Sequence, residues 1–558
     1  MFLLTSSYMF FMNLIFWMIS IMMLLMKLNF IMEWNLYMFN SMKIEFFIYM
    51  DWMSMMFIST ILLISSMVII YSMEYMKNDL FLKRFMILIM IFVSSMIMMI
   101  ISPNMISILL GWDGLGLSSY CLVAYYQNKK SFNSSMITIL MNRIGDIMIL
   151  ILISLFMMFG SWNFMFFKSM NMIFMFFILI AAITKSAQIP FSTWLPLAMA
   201  APTPISSLVH SSTLVTTGIY LLIRFNFLMN NNFLYFLMML SSLTMLLAGS
   251  SANFEFDLKK IIALSTLSQL GLMILTISIN LPKLAFFHLI THAMFKSLLF
   301  LCSGIIIHNY MNNQDIRYIS FMNMNMPFIN LTFNIASLTL CGMPFLTGFY
   351  SKDMIIEMFL MNYNNLIIFL IMFLSMMFTI MYSFRLLFYI SIKNLKMNMF
   401  MFYNSFNLMN YSIIILLLLS IFYGSTLNWL LYSSLNNIFL PSYLKLLIFK
   451  FLFMGLIISL MIQLIKLNFY MLKMFKTFYT FMNLMWFLPL LFKKNKMNIL
   501  NLNNKLIFYS DMGWLEMLSS KKIIFYLNIL YKMKNIFKMN FLLMTFLSIY
   551  LIIFMIYM

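Results

Sequence analysis

Long apolar runs recur from residue 8 to residue 557, separated by short polar stretches. Runs of about 18 residues or more suffice to cross the hydrocarbon core of a bilayer, and about fifteen segments qualify. They lie near 8–26, 50–72, 84–102, 104–126, 135–157, 173–188, 204–224, 234–250, 257–278, 283–308, 327–347, 366–389, 408–430, 443–466 and 541–557. Segment 477–492 is apolar but short and reads as interfacial. Residues 512–538, MGWLEMLSSKKIIFYLNILYKMKNIFK, differ: apolar positions recur at helical spacing and lysines interrupt them at 521, 522, 532, 534 and 538. That pattern predicts an amphipathic helix lying along a surface, pinned by the last span.

Two spans are interrupted. In 181–218, AAITKSAQIPFSTWLPLAMAAPTPISSLVHSSTLVTTG, Lys185 sits in an apolar helix and Pro190 and Pro196 break it soon after. CGMPFLTGFYSKD repeats the theme with Pro344 and Lys352. Broken helices in corresponding positions point to an inverted-repeat transporter core. The chain then divides into N-terminal spans (1–103), a core (104–390), C-terminal spans with an interfacial segment (391–510), and the surface helix with its terminal anchor (511–558). After a polar TSS the N-terminus runs directly into a first span, without a cleavable signal pattern.

Composition agrees with this all-α, multi-pass reading: 64% of the 558 residues are hydrophobic and 9% charged, which leaves no stretch able to fold as a separate soluble domain. The 69 methionines and 63 phenylalanines suggest an A+T-rich gene in which an isoleucine codon is read as methionine, as in animal mitochondria. Of the net charge of +20, +15 falls after residue 357, where 17 Lys and Arg face two acids. These bases alternate with aliphatics and flank spans, so contact with anionic lipid accounts for them better than nucleic acid does. Cys121, Cys302 and Cys341 are far apart in apolar spans, without metal or cluster spacing, and read as packing residues.

An ionisable group at membrane depth costs roughly 2.5–3.5 kcal/mol on insertion scales, so each one marks a candidate ion or proton path. Asp113 lies in GWDGLGLSSYCLV, whose glycines suit close helix approach; no strand precedes them, so they are not a dinucleotide loop. Arg143 and Asp146 share a helical face, either neutralising each other or tuning the path. Lys185 and His210 flank the first break. His288, His292 and Lys296 fall at i, i+4 and i+8, within roughly 80° of arc. Nothing nearby completes a metal site around the two histidines, and a hydrated proton relay suits the trio better. Lys259 and Lys260 open a span, where snorkelling competes with function. His308 ends a span and reads as interfacial.

Taken in order, GWDGLGLSSYCLV, NRIGD, TKSAQIPFSTWLPLAMAAPTPISSLVHSSTLVTTGIYLLIRF, DLKKIIALSTLSQLG, FHLITHAMFKSLLFLCSG and GMPFLTGFYSKD resemble the chain 5 family of antiporter-like subunits in mitochondrial proton-pumping NADH:ubiquinone oxidoreductase (complex I). That family is related to Mrp-type cation/proton antiporters. The resemblance covers about residues 50–390, and the tail matches in layout. It places Asp113 at the key carboxylate, Lys185 at the lysine of the first broken helix and His210 at a bridging histidine. His288, His292 and Lys296 fall at the central relay, and Lys352 with Asp353 at the second break, where the proton leaves. Leu197 stands where many relatives carry aspartate, the N-terminus has one span fewer than many relatives, and aspartate at 113 shortens the reach to Lys185.

The function implied is that of a proton-translocating membrane-arm subunit of complex I in the inner membrane of an insect-like animal mitochondrion. No cofactor is expected on this chain; NADH, FMN, iron–sulfur clusters and ubiquinone are expected in partner subunits. Expected partners are other membrane-arm subunits, including neighbouring antiporter-like ones along the surface helix, and anionic lipids such as cardiolipin. One alternative is a stand-alone Mrp-type sodium/proton antiporter, which the scarcity of core acids disfavours because sodium wants oxygen ligands. A scaffold without proton traffic is the other, and the buried lysines argue against it.

Overall fold

The computed structural model describes all residues except 40–41, 165–171, 320–325, 363–364, 394–406, 433–437, 465–475, 538–540 and 558. The chain separates into two compact units, 1–486 and 487–558.

The larger unit is a helical bundle. Its helices are α1 (Phe2–Met26), α2 (Trp52–Tyr75), α3 (Leu82–Ile101), α4 (Met105–Val123), α5 (Lys129–Phe156), α6 (Met172–Lys185), α7 (Trp194–Ala198), α8 (Thr203–Leu228) and α9 (Asn231–Phe254). There follow α10 (Leu258–Ser278), α11 (Pro282–Asn309), α12 (Pro327–Cys341), α13 (Thr347–Asn362), α14 (Leu366–Ile392), α15 (Leu408–Leu431), α16 (Ser442–Leu464) and α17 (Lys476–Asn483). Among the described residues twelve helices are long and apolar enough to cross a membrane. The other three expected spans are shorter apolar helices, two of them α6 and α12. These two stop early because each is the first half of an interrupted helix. After α6 the backbone turns left-handed at Ala187, and α12 ends on Gly342 at φ +87°, a conformation open to a residue without Cβ.

One element departs from an all-helical chain. Phe30–Phe39 (β1) and Met42–Met50 (β2) pair antiparallel, Phe30 opposite Met50 and Trp34 opposite Phe46, with an irregularity between Asn35 and Tyr37. Both strands carry apolar residues on both faces, so the run lacks the alternation that marks a hairpin.

The helices are not equally buried. The apolar windows of α8, α10 and α11 are wholly buried and that of α2 83%, whereas α1 is 22% and α16 17% buried. The inner helices therefore turn their polar side chains toward protein rather than lipid. That is where broken helices and ionisable groups are tolerated, because neighbours can satisfy the freed backbone. Close approach is built into the scaffold: a Cβ on Gly111 of α4 would lie 2.7 Å from the Met99 backbone nitrogen of α3.

The smaller unit holds α18 (Leu488–Tyr509), α19 (Lys522–Phe537) and α20 (Phe541–Tyr557). Two π-helical stretches, Ser510–Leu515 and Met517–Lys521, join α18 to α19. The helical run thus begins well before residue 512, where the sequence pattern places its start. The run from Leu488 to Phe537 spans about 75 Å at 1.5 Å per residue, more than twice a hydrocarbon core of about 30 Å. Lys538 lies outside the described residues.

Candidate functional site

The first cluster forms where α4, α5 and α6 meet. Lys185, the last residue of α6, is fully buried. Its Nζ donates to the Trp112 carbonyl at 3.2 Å and lies 4.9 Å from the Trp112 ring centroid. Gly116 leaves room for it, since a Cβ there would sit 3.8 Å from Nζ. Asp113 does not pair with Lys185. Arg143 stands between the two acids instead, 3.6 Å from the Asp113 carboxylate and 3.2 Å from that of Asp146. Aspartate at 113 is the shorter acid, and this shorter reach favours the Arg143 partner.

Beyond the break, Trp194 ties the parts together. Its Nε1 donates to the Thr184 carbonyl at 3.0 Å, beside Lys185, and its ring meets His210 edge-on at 6.3 Å. His210 sits in a π-helical stretch, Ser206–Thr213, that packs against α11. Such bulges recur at functional sites because they widen the turn. His210 is buried and neither ring nitrogen has a protein partner among the described residues. A buried imidazole of this kind calls for water. Gln188, within the break, accepts from Thr244 Oγ1 at 2.6 Å.

The central trio lies on α11 and is buried throughout. Lys296 Nζ donates to the Ser265 hydroxyl of α10. The rings of His292 and His288 are 6.2 Å apart, and His292 also lacks a protein partner at both nitrogens. One turn along α10 from Ser265, Gln269 Oε1 lies 3.3 Å from His288 Nε2. His288 Nδ1 lies 2.9 Å from the Ser351 hydroxyl. With the amide oxygen accepting from Nε2–H, a neutral His288 takes the Ser351 hydroxyl proton bond at Nδ1. Ser351 precedes Lys352, whose Nζ donates to the Leu340 carbonyl at 3.2 Å and to Thr379 Oγ1 at 3.3 Å. Asp353 follows, 9% exposed.

The remaining candidates divide. Lys259 is buried, with Nζ donating to the Ala201 carbonyl at 3.2 Å, so it pins the loop after the first break rather than snorkelling. Lys260 is partly exposed and pairs with Asp257 at 2.6 Å. His308 is exposed, its ring 5.6 Å from that of Tyr75. Among the described residues no group of three or more His, Cys, Asp and Glu could hold a metal ion.

Sequence reasoning missed the uncharged connectors Trp194, Ser265, Gln269 and Ser351, and it missed a buried ion pair. Asp51 caps α2 by accepting from Ser54 N at 2.9 Å, and its two oxygens accept from Arg224 of α8 at 2.6 Å each. Burial raises the Asp51 carboxyl, but the Arg224 guanidinium and the Ser54 bonds outweigh it and hold the group below its ordinary range.

Three family models match: "NADH-Ubiquinone oxidoreductase (complex I), chain 5 N-terminus" over residues 34–86, "NADH:quinone oxidoreductase/Mrp antiporter, TM" over 102–379, and "NADH dehydrogenase subunit 5 C-terminus" over 382–558. NADH-ubiquinone oxidoreductase chain 5 of Anopheles gambiae is 47% identical over 530 residues, covering 91% of this chain and 90% of the relative. Its counterpart in Locusta migratoria is 45% identical over 528 residues, 91% of each. In fold the chain is similar to the Mrp complex from Dietzia sp. DQ12-45-1b, with a TM-score of 0.69 at 20% identity over 85% of this chain and 56% of that one. It is also similar to the archaeal membrane-bound sulfane sulfur reductase, with a TM-score of 0.67 at 20% identity over 77% and 91%.

Proposed function

Because the chain belongs to the NADH-ubiquinone oxidoreductase chain 5 family, we propose that its buried file of polar groups is the route by which this multi-pass inner-membrane subunit of mitochondrial complex I moves protons. The observation that carries the reading is the set of contacts among buried side chains of α10, α11 and α13. Lys296 meets Ser265, His288 joins Gln269 to Ser351, and Ser351 abuts Lys352. Protons enter the file at Lys185, pass His210 and the α11 trio through bridging waters, and leave at Lys352 and Asp353. Water is needed at His210 and His292, whose ring nitrogens have no hydrogen-bond partner among the described residues.

Asp113, Asp146 and Arg143 form the electrostatic control of this route. With Arg143 on both carboxylates, Lys185 rests on a carbonyl and a ring. A swing of Arg143 away from Asp113 or Asp146 frees a carboxylate for the ammonium, and its return releases the proton. Electron carriers and quinone chemistry belong to partner subunits, and α18 and α19 run along neighbouring antiporter-like subunits as a brace.

Lys185→Met tests the route in the assembled complex reconstituted in proteoliposomes. Proton uptake per NADH oxidised should fall at least about tenfold while the complex still assembles; a positioned proton-transfer group is worth about 10²–10⁴-fold, and bridging water replaces part of that. Normal uptake would remove Lys185 from the path. Sodium-dependent uptake would instead support a cation antiporter.

A further inference from the structure

A furrow runs between α1 and α15, with α2 along its inner wall and Met294 of α11 at its floor. Its larger half encloses about 950 Å³, and a smaller half of about 470 Å³ continues it toward the start of α1. No residue of the proposed proton route lines either half. We propose that the larger half is a phospholipid site, in which the acyl chains of one lipid fill the space between α1 and α15 and cover the back of α11.

The dimensions match one leaflet. Along α1 the larger half runs from Phe10 to Ile21, about 17 Å at 1.5 Å per residue and close to half of a hydrocarbon core of about 30 Å. Its far end is marked by Trp429, 82% exposed in the last turn of α15. An exposed indole at the end of a span stands at headgroup level, so the lipid's polar end lies there and its chains run inward toward Phe10.

The lining selects an apolar occupant. Ser59, Thr60, Ser425 and Thr426 each spend the hydroxyl on a carbonyl of their own helix three residues back, at 2.8–3.1 Å. Asn13 and Tyr423 add an amide and a phenol, and no charged residue lines the furrow among the described ones. An ordered water needs about two to four polar partners, which these walls do not supply, so water does not fill a space of this size. The shape disfavours a protein helix. The two halves meet only at Phe10 and Ile415, whose side chains divide the furrow, whereas a straight helix about 10–12 Å wide needs an unbroken groove. Separate flexible chains fill each half.

The floor gives the lipid a structural part. Met294 stands two residues before Lys296, about 200° around α11, so the furrow meets that helix on the face opposite its buried trio. Chains packed there supply the back of α11 with the contacts that an empty furrow would withhold.

Photocrosslinking on the assembled complex tests the site. The complex is incubated in detergent with excess phosphatidylcholine carrying a diazirine in its acyl chain until exchange is complete, then washed and illuminated. Crosslinks to furrow residues of α1 and α15 should survive washing, while those on the complex's other lipid-facing helices fall at least about fivefold. Leu419→Trp, which fills the furrow, should cut the surviving crosslinks at least about fivefold, and Ile457→Trp at an exposed position of α16 should leave them within about twofold. Ile415→Phe replaces Leu419→Trp if that variant fails to assemble, and the wash comparison on the parent needs no variant. Equal loss everywhere on washing would mean exchanging bilayer lipid and overturn the site. Unchanged crosslinks in the furrow-filling variant would overturn it as well. Absence of lipid crosslinks in the furrow even before washing would do the same, and would assign that space to a neighbouring subunit.

Discussion

The ion pair at Asp51 lends itself to a quantitative test because its geometry is complete. Two 2.6 Å bonds join it to Arg224, the guanidinium also donates to Tyr220 Oη, and Asp51 is 5% exposed. Asp51→Ala removes the α2 cap, worth about 1 kcal/mol, and leaves a buried guanidinium without its carboxylate, about 3–5 kcal/mol. The sum is an upper bound of roughly 4–6 kcal/mol, since the two losses share one side chain. Asp51→Asn keeps shape and cap and should lose only the charge-pair part, about 3–5 kcal/mol. Asp51→Asn with Arg224→Leu should recover most of the loss, because no charge is then left stranded. The held-down carboxyl means its contribution is present above the unfolded value near 3.9 and vanishes only as pH falls through the lower folded value, so the deficit should be constant from about pH 6 to 8. The assay is thermal unfolding of the purified complex, with the assembled fraction on native gels. A loss under about 1 kcal/mol for Asp51→Ala, or no recovery in the double variant, would refute the reasoning.

Along the relay, Lys296→Ala should slow proton uptake about tenfold and His288→Ala less, since water replaces a neutral relay group more readily than a charge-storing amine; equal rates would contradict this. Ser351→Ala removes the hydroxyl between His288 and Lys352 and should lower uptake about threefold while NADH oxidation in uncoupled membranes stays near the parent rate. A chain ending near residue 510 keeps the whole polar file and loses most of the long helix, so it should cost assembly of the membrane arm rather than turnover per assembled complex. Quantitative native gels paired with specific activity check that, and normal assembly would deny the brace.

How far the sequence could be read depended on how rare each signal is. Only 9% of residues are charged, so a lysine or histidine inside an apolar run stands out, and Lys185, His210, His288, His292, Lys296 and Lys352 all prove buried. Hydroxyl and amide residues are common in the same spans, and most bond their own helix three residues back, as Ser268 and Ser297 do. Nothing marks Ser265, Gln269 and Ser351 as different until the fold brings α10, α11 and α13 together. Asp51 and Arg224 are 173 residues apart in sequence and meet only through the packing of α2 against α8. The hairpin at 30–50 was hidden because its strands are apolar on both faces, and the reach of Arg143 to both Asp113 and Asp146 could not be read from its spacing.

The partners of the buried lysines bear on why lysines suit the proposed route. Among the described residues none of Lys185, Lys296 and Lys352 forms an ion pair. Each rests on neutral oxygen: the Trp112 carbonyl, the Ser265 hydroxyl, and the Leu340 carbonyl with the Thr379 hydroxyl. Leu340 lies at the end of α12; the Gly342 amide takes the Leu338 and Thr339 carbonyls, and the Leu340 carbonyl accepts from Lys352. A carboxylate at 4 Å would favour the ammonium by about 4 kcal/mol at an effective dielectric of 20, enough to clamp the proton. A carbonyl or hydroxyl solvates the charge without clamping it. Interrupting α12 opens a backbone oxygen for Lys352, and on the proposed route all three lysines are spared the counter-ion that would keep the proton in place. On the proposed route, acids serve where charge is switched or discharged, Asp113 and Asp146 near Lys185 and Asp353 beside Lys352, whereas Asp51 is held by Arg224 as a structural pair.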